Sequence, residues 1–224
     1  PTFEIHTSPH LHSGDSTDEI LRHVVVALVP ITGFAIFSHG LCALLLLTVA
    51  TSSCVLTEHI LCRLNRHVTT IGDWSAIVTG LLLGLTLPPT LPLWMAAVGG
   101  VIAIGLGKIL FGGLGFNSFN PALVGRAVLQ GAFPVAMTTW SAPLTTERFV
   151  SVPGSTLTWP FLQPTYDAMS SATPLAAMKF DALGTPTHEL AFGLVSGSTG
   201  EACAVLILLG GIYLAMRNML NWRI

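Results

Sequence analysis

A carboxylate and three hydroxyls crowd into Asp167-Ala168-Met169-Ser170-Ser171-Ala172-Thr173, with Pro174-Leu175-Ala176 directly after. A following proline disfavours helical backbone at Thr173. The Thr173 hydroxyl is therefore expected on extended or turning chain, open to a modifying enzyme. The same residues also suit a plain Ser/Thr turn capping a short helix. Asn117 and Asn120 flank Ser118-Phe119 and precede Pro121. Amide side chains carry both donors and acceptors and can meet a ring edge of mixed polarity. Asn is also a favoured helix cap and Pro a favoured first helical residue, which gives Asn120 a structural role. Gly197-Ser198-Thr199-Gly200-Glu201 reads as a tight turn into a helix N-terminus. Such an end can offer free amides to an anion, and Glu201 in the first turn would complement the helix dipole. Plain capping is the alternative.

Other chemistry-bearing residues read more blandly. His6, His10, His12 and His23 cluster near the start and are expected as exposed tail histidines, with no metal site assigned. Cys42, Cys54, Cys62 and Cys203 show no C-x-x-C spacing and are expected as small buried apolar residues. Glu58 and Asp73 are expected at the interfacial ends of helices two and three, solvated. Lys179 reads as a solvated loop lysine.

These residues must be positioned by a chain that is 51% hydrophobic and only 9% charged, with mean hydropathy +0.72. A soluble domain carries about 25% charged residues; this chain must show most of its surface to lipid. A net charge of −2 offers no basic field for nucleic acid. The polar opening to Glu19 does not read as a cleavable signal peptide. Six apolar segments follow: Ile20 to Phe37, Leu41 to Leu61, Trp74 to Leu87, Leu93 to Leu110, Pro121 to Val135 and Ala202 to Met216. The third is too short to cross and stops at Pro88-Pro89, so it is expected to end inside protein as an interrupted helix. The fifth is short enough to raise the same expectation.

The expected fold is all-α: a polytopic integral membrane helical bundle with interrupted helices and about six spans, the N-terminal portion of an inverted-repeat fold. Residues 1–19 form an N-terminal segment, 20–137 five transmembrane segments, 138–189 one long loop, and 190–224 the sixth span and the start of the next. If the N-terminus is cytoplasmic, Arg22, Arg63, Arg66, Lys108, Arg126, Arg217 and Arg223 fall at or near the cytoplasmic face. Arg148 and Lys179 then lie in the long loop, which is extracytoplasmic and, by its length, expected to carry function.

The stretch from Asp167 to Thr173 resembles the flavinylation motif Asp-x-x-Ser/Thr-Gly/Ser-Ala-Thr. The corresponding loops belong to the family of the D subunit of the Rnf ferredoxin:NAD oxidoreductase and the B subunit of the sodium-pumping NADH:quinone oxidoreductase. Further pieces agree with that family in order along nearly the whole chain. They are Ser8-Pro9-His10, Thr79-Gly80-Leu81-Leu82-Leu83 with Leu87-Pro88-Pro89, Gly115-Phe116-Asn117 with Phe119-Asn120-Pro121-Ala122, and Gly197 to Glu201. Ser171 stands where glycine is commoner. Ser-Pro-His without a long preceding extension looks more like the Rnf branch.

The resemblance implies a covalent FMN joined to Thr173 by a phosphoester, with Asp167, Ser170, Ser171 and Ala172 as the motif read by a flavin transferase. It implies a second, non-covalent flavin (riboflavin) near the membrane, for which Asn117 and Asn120 are candidate contacts. Ser198, Gly200 and Glu201 are candidate contacts of the FMN, and Lys179 could pair with its phosphate. The implied setting is the bacterial inner membrane, with the FMN loop periplasmic. The partners implied are the other membrane, iron–sulfur and flavin subunits of the complex, and the coupled ion is Na⁺ or H⁺. Relatives are expected to continue through about four more helices. Two other readings remain open: a quinone-reducing relative, and a flavin-free channel or transporter with a urea-channel-like fold.

Overall fold

The computed structural model of the chain describes residues 16–64, 71–160, 162, 171–201 and 203–220. Among these residues every regular element is helical, as the sequence predicts. Helix α1 spans Thr17–His39 and α2 spans Leu41–Leu64. At 1.5 Å per residue each is about 35 Å long, enough to cross a hydrocarbon core of about 30 Å. Helix α4, Leu93–Gly105, runs on through a 3₁₀ turn at Ile109–Phe111, and the apolar stretch Leu93–Phe111 is a third candidate span. The chain is a multi-pass helical membrane protein.

Helix α1 starts at Thr17, three residues earlier than the hydropathy suggests. The Ser16 hydroxyl accepts the Glu19 amide at 3.3 Å, and Asp18 and Glu19 suit the positive end of the dipole. His23 belongs to this helix and is buried, which corrects its expected place in an exposed tail. Arg217 Nη2 donates to His23 Nε2 at 3.0 Å, so the proton on Nδ1 faces Tyr213 Oη at 2.6 Å. That contact ties α1 to the last helix among the described residues, α9 (Ala204–Met216). The other three histidines of the tail lie outside the described residues. All four cysteines are buried, as expected.

Helix α3, Ser75–Thr86, is about 18 Å long and cannot cross alone. Its end runs directly into Leu87, Pro88, Pro89, Thr90 and Leu91, all buried. The interrupted-helix expectation for the third segment therefore holds. Helix α2 packs against α3 and α4, and α4 against α5, Pro121–Ala132. Small residues allow the close approach: a methyl at Gly80 would meet the Thr51 backbone, and one at Gly100 the Ser53 side chain. Helix α5 is as short as α3, and a one-turn helix α6 follows at Pro134–Met137.

The long loop is not a featureless strap. It contains two short helices, α7 at Pro174–Phe180 and α8 at Thr187–Phe192, before α9 at Ala204–Met216. Its first part is stitched to the α1–α2 junction. Leu144 N donates to Ser38 O at 2.8 Å, Leu41 N to Arg148 O at 2.9 Å, and Arg148 Nε to Phe37 O at 2.8 Å. The Arg148 guanidinium also lies over the rings of Phe37 and Phe149, 5.2 and 5.1 Å from their centroids.

Candidate functional site

Thr173 sits on extended backbone, φ −70° and ψ 155°, immediately before α7. The extended backbone and the capping role expected from the sequence are both present. It is the N-cap of α7, its Oγ1 accepting the Ala176 amide at 3.3 Å, and it is only half-buried. One flank is anchored, because the Ser171 amide donates to Trp140 O at 3.0 Å. Ser171, Ala172 and Pro174 line a hollow of about 380 Å³ together with Ala142, Leu194 and Ser196. The structure thus brings the Thr173 segment beside the approach to the Gly197–Glu201 turn, two stretches that the sequence alone could place only on one side of the membrane. Asp167 and Ser170 lie outside the described residues. The Lys179 ammonium lies over the Phe180 ring at 5.1 Å, six residues along from Thr173.

The turn itself differs from expectation. The amides from Ser198 to Glu201 are not open to an anion. Thr199 N and Oγ1 both donate to Leu87 O, at 3.0 and 2.7 Å, and Gly200 N donates to Leu85 O at 2.6 Å. Glu201 is not in the first turn of a helix either; its Oε2 accepts the Ser198 amide at 2.9 Å, and α9 begins only at Ala204. The turn is a plug that satisfies the carbonyls left open where α3 breaks. Gly200 is needed for the fit, since a methyl there would lie 2.7 Å from Leu85 Cβ and 2.8 Å from Leu85 O.

At the far end of α2 from its junction with α1, Asn117 and Asn120 line a hollow of about 270 Å³ with Ser75, Thr79, Lys108 and Pro121. Asn120 caps α5, its Oδ1 accepting the Ala122 amide at 3.0 Å. Asn117 closes its own loop: Oδ1 accepts Gly115 N at 3.3 Å, and Nδ2 donates to Phe119 O at 2.9 Å. Asn120→Ala is expected to lower stability by about 1 kcal/mol, the usual worth of an amide cap, read as a thermal shift in detergent.

The same hollow is walled by a group that the sequence reading misplaced. Glu58 and Lys108 are 0% and 2% exposed. Lys108 Nζ donates to both Glu58 carboxylate oxygens at 2.8 Å and also to Ser75 Oγ. Ser75 in turn donates to Asp73 Oδ1 through its amide at 2.9 Å and its hydroxyl at 2.5 Å. Glu58 is therefore not a solvated interfacial acid, and Lys108 is not a positive charge facing the water at the membrane surface. The signal for the pair was present: an acid inside one apolar run and a base inside another are functional or paired by default.

The sequence profile of the NQR2, RnfD, RnfE family matches residues 4–224. The chain belongs to that family. Among its relatives there, the D subunit of the Na(+)-translocating ferredoxin:NAD(+) oxidoreductase complex of Acetobacterium woodii is 38% identical over 98% of this chain and 64% of its own length. The D subunit of the proton-translocating complex of Clostridium ljungdahlii is 37% identical over 99% of this chain and 65% of its own length. The D subunit of the ion-translocating oxidoreductase complex of Cronobacter sakazakii is 34% identical over 99% of this chain and 69% of its own length. The chain thus spans somewhat under two thirds of the length of the first two.

Proposed function

We propose that this chain is a membrane electron-transfer subunit of a redox-driven, ion-translocating ferredoxin:NAD oxidoreductase complex, carrying FMN as a phosphoester on Thr173. Similarity to D subunits over nearly the whole chain supports the setting. The observation that carries the site is the placement of the Thr173 hydroxyl. It lies half-buried on extended chain beside a hollow, held by a single amide at 3.3 Å. That amide occupies a lone pair of Oγ1, so the hydroxyl proton can be replaced by a phosphoryl group without breaking the cap. Asp167, Ser170, Ser171 and Ala172 enter as the motif for a flavin transferase.

In this reading the loop faces the periplasm and the N-terminus the cytoplasm of a bacterial inner membrane. A bound flavin supplies reversible electron uptake, while the protein fixes its position and surroundings. Ser171, anchored to Trp140, holds the tether near the membrane surface. The turn at Ser198, Gly200 and Glu201 stands beside it as a wall; its amides are engaged elsewhere. A second, non-covalent flavin such as riboflavin would occupy the hollow of Asn117 and Asn120 at the opposite end. The other membrane, iron–sulfur and flavin subunits would supply the ferredoxin and NAD chemistry, with Na⁺ or H⁺ as the coupled ion.

Protein produced with an active flavin transferase is expected to show a fluorescent band under ultraviolet light after denaturing electrophoresis, and Thr173→Ala to lose it completely. A dark band from the parent chain sinks the flavin assignment. A fluorescent Thr173→Ala band moves the attachment elsewhere.

A further inference from the structure

A hollow of about 520 Å³ opens between the α1–α2 junction, the Pro88-Pro89 break and loop residues 141–154. His39 lines it and is 8% exposed. Among the described residues no hydrogen bond reaches its ring. An imidazole has two nitrogens able to hydrogen-bond, and where the ring borders the hollow they are open to a ligand's donors and acceptors. The segments around the hollow are fixed by backbone bonds, Leu144 N donating to Ser38 O at 2.8 Å and Leu93 N to Thr156 O at 3.0 Å. The lining combines hydroxyls such as Thr90 and Ser141, the charged pair of neighbours Glu147 and Arg148, and the apolar Pro89 and Val152. A hollow of this size, with apolar surface beside several donors and acceptors, can take a heteroaromatic ring whose edge carries polar atoms.

This hollow adjoins the Thr173 segment. The Ser171 amide is bonded to the Trp140 carbonyl, and the next two residues, Ser141 and Ala142, line the hollow of His39. Ala142 also lines the smaller hollow at Ser171, Ala172 and Pro174. Ala142 is thus common to the linings of both spaces.

We infer that the hollow beside His39 seats the ring of the flavin carried on Thr173, with the His39 imidazole hydrogen-bonded to the ring's polar edge. The inference rests on the flavin assignment above. A hydrogen bond that is stronger to one oxidation state than to the other sets the balance between them, so His39 is a binding residue that tunes the cofactor. Ser141 guards the entrance from the tether.

The test uses the purified, flavinylated chain in detergent, as parent, His39→Gln, His39→Leu and Ser141→Phe. In-gel fluorescence first measures covalent flavin in each, and gel filtration confirms folding. Iodide quenching of the flavin and a redox titration then report on the ring. Covalent flavin is expected in all four. Ser141→Phe narrows the hollow, displaces the ring and raises iodide quenching. His39→Leu changes the oxidised-to-reduced ratio at fixed ambient potential about fivefold, the worth of one hydrogen bond, and His39→Gln restores much of it. Quenching and titration curves that match the parent in both His39→Leu and Ser141→Phe, with flavin content intact, overturn the seat. A parent chain without in-gel fluorescence overturns the flavin assignment, and the seat with it.

Discussion

Lys108→Met is expected to destabilise the chain by about 3–5 kcal/mol, the usual consequence of removing one partner of a buried ion pair. The Glu58 carboxylate, 0% exposed, then loses the ammonium that neutralises it from 2.8 Å. The base of α3 loses the contact from Lys108 to Ser75 as well. Thermal unfolding in detergent, followed by light scattering or a thiol-reactive dye on the buried cysteines, measures the effect. The double variant Glu58→Met/Lys108→Met is expected to regain most of the loss, because an apolar pair of similar volume avoids burying any charge. A Lys108→Met protein as stable as the parent would refute the role of the pair. The pair joins α2 to the end of α4, and through Ser75 and Asp73 it also reaches the start of α3. It therefore sets the shape of the hollow that holds Asn117 and Asn120.

A comparably large effect is expected from Gly40→Ala. Gly40 has φ +64° and ψ −136°, a conformation that glycine adopts and a β-carbon opposes. A methyl there would overlap the carbonyl oxygen of Arg148. That carbonyl accepts the Leu41 amide at 2.9 Å, so the clash falls on the seam that fastens the long loop to the α1–α2 junction. Backbone strain of about 1–3 kcal/mol adds to the loss of the seam, and a total above about 3 kcal/mol is expected. Limited proteolysis should cut residues 141–160 far faster in Gly40→Ala than in the parent. Gly33→Ala is the control. Gly33 lies inside α1 with open space where the methyl would sit, and alanine is the better helix former by about 1 kcal/mol. Equal protease sensitivity in the two variants would show that the seam does not depend on Gly40.

What could be read from the sequence was local. Hydropathy marked all six apolar helices, and Pro88-Pro89 marked the break after α3, because both depend on residues near in the chain. The Asn120 cap and the extended backbone at Thr173 followed from the prolines behind them. The misses are long-range. Glu58 and Lys108 are fifty positions apart; each stood out as a charge inside an apolar run, but only the fold shows that they meet. The amides of the Gly197–Glu201 turn looked free because their acceptors, Leu85 and Leu87, come more than a hundred residues earlier. His39 drew no notice, since its significance lies in a hollow assembled from three separate stretches.

The plug at Thr199 and Gly200 also orders events during synthesis. As the ribosome feeds the chain into the bilayer, α3 arrives with the carbonyls of Leu85 and Leu87 exposed, and their donors have not yet been translated. Until they emerge, those carbonyls need water or a chaperone, since bare backbone in hydrocarbon costs several kcal/mol per group. The segment just ahead of α9 is thus the keystone of insertion: the broken helix can settle to its final depth only after that stretch has been delivered.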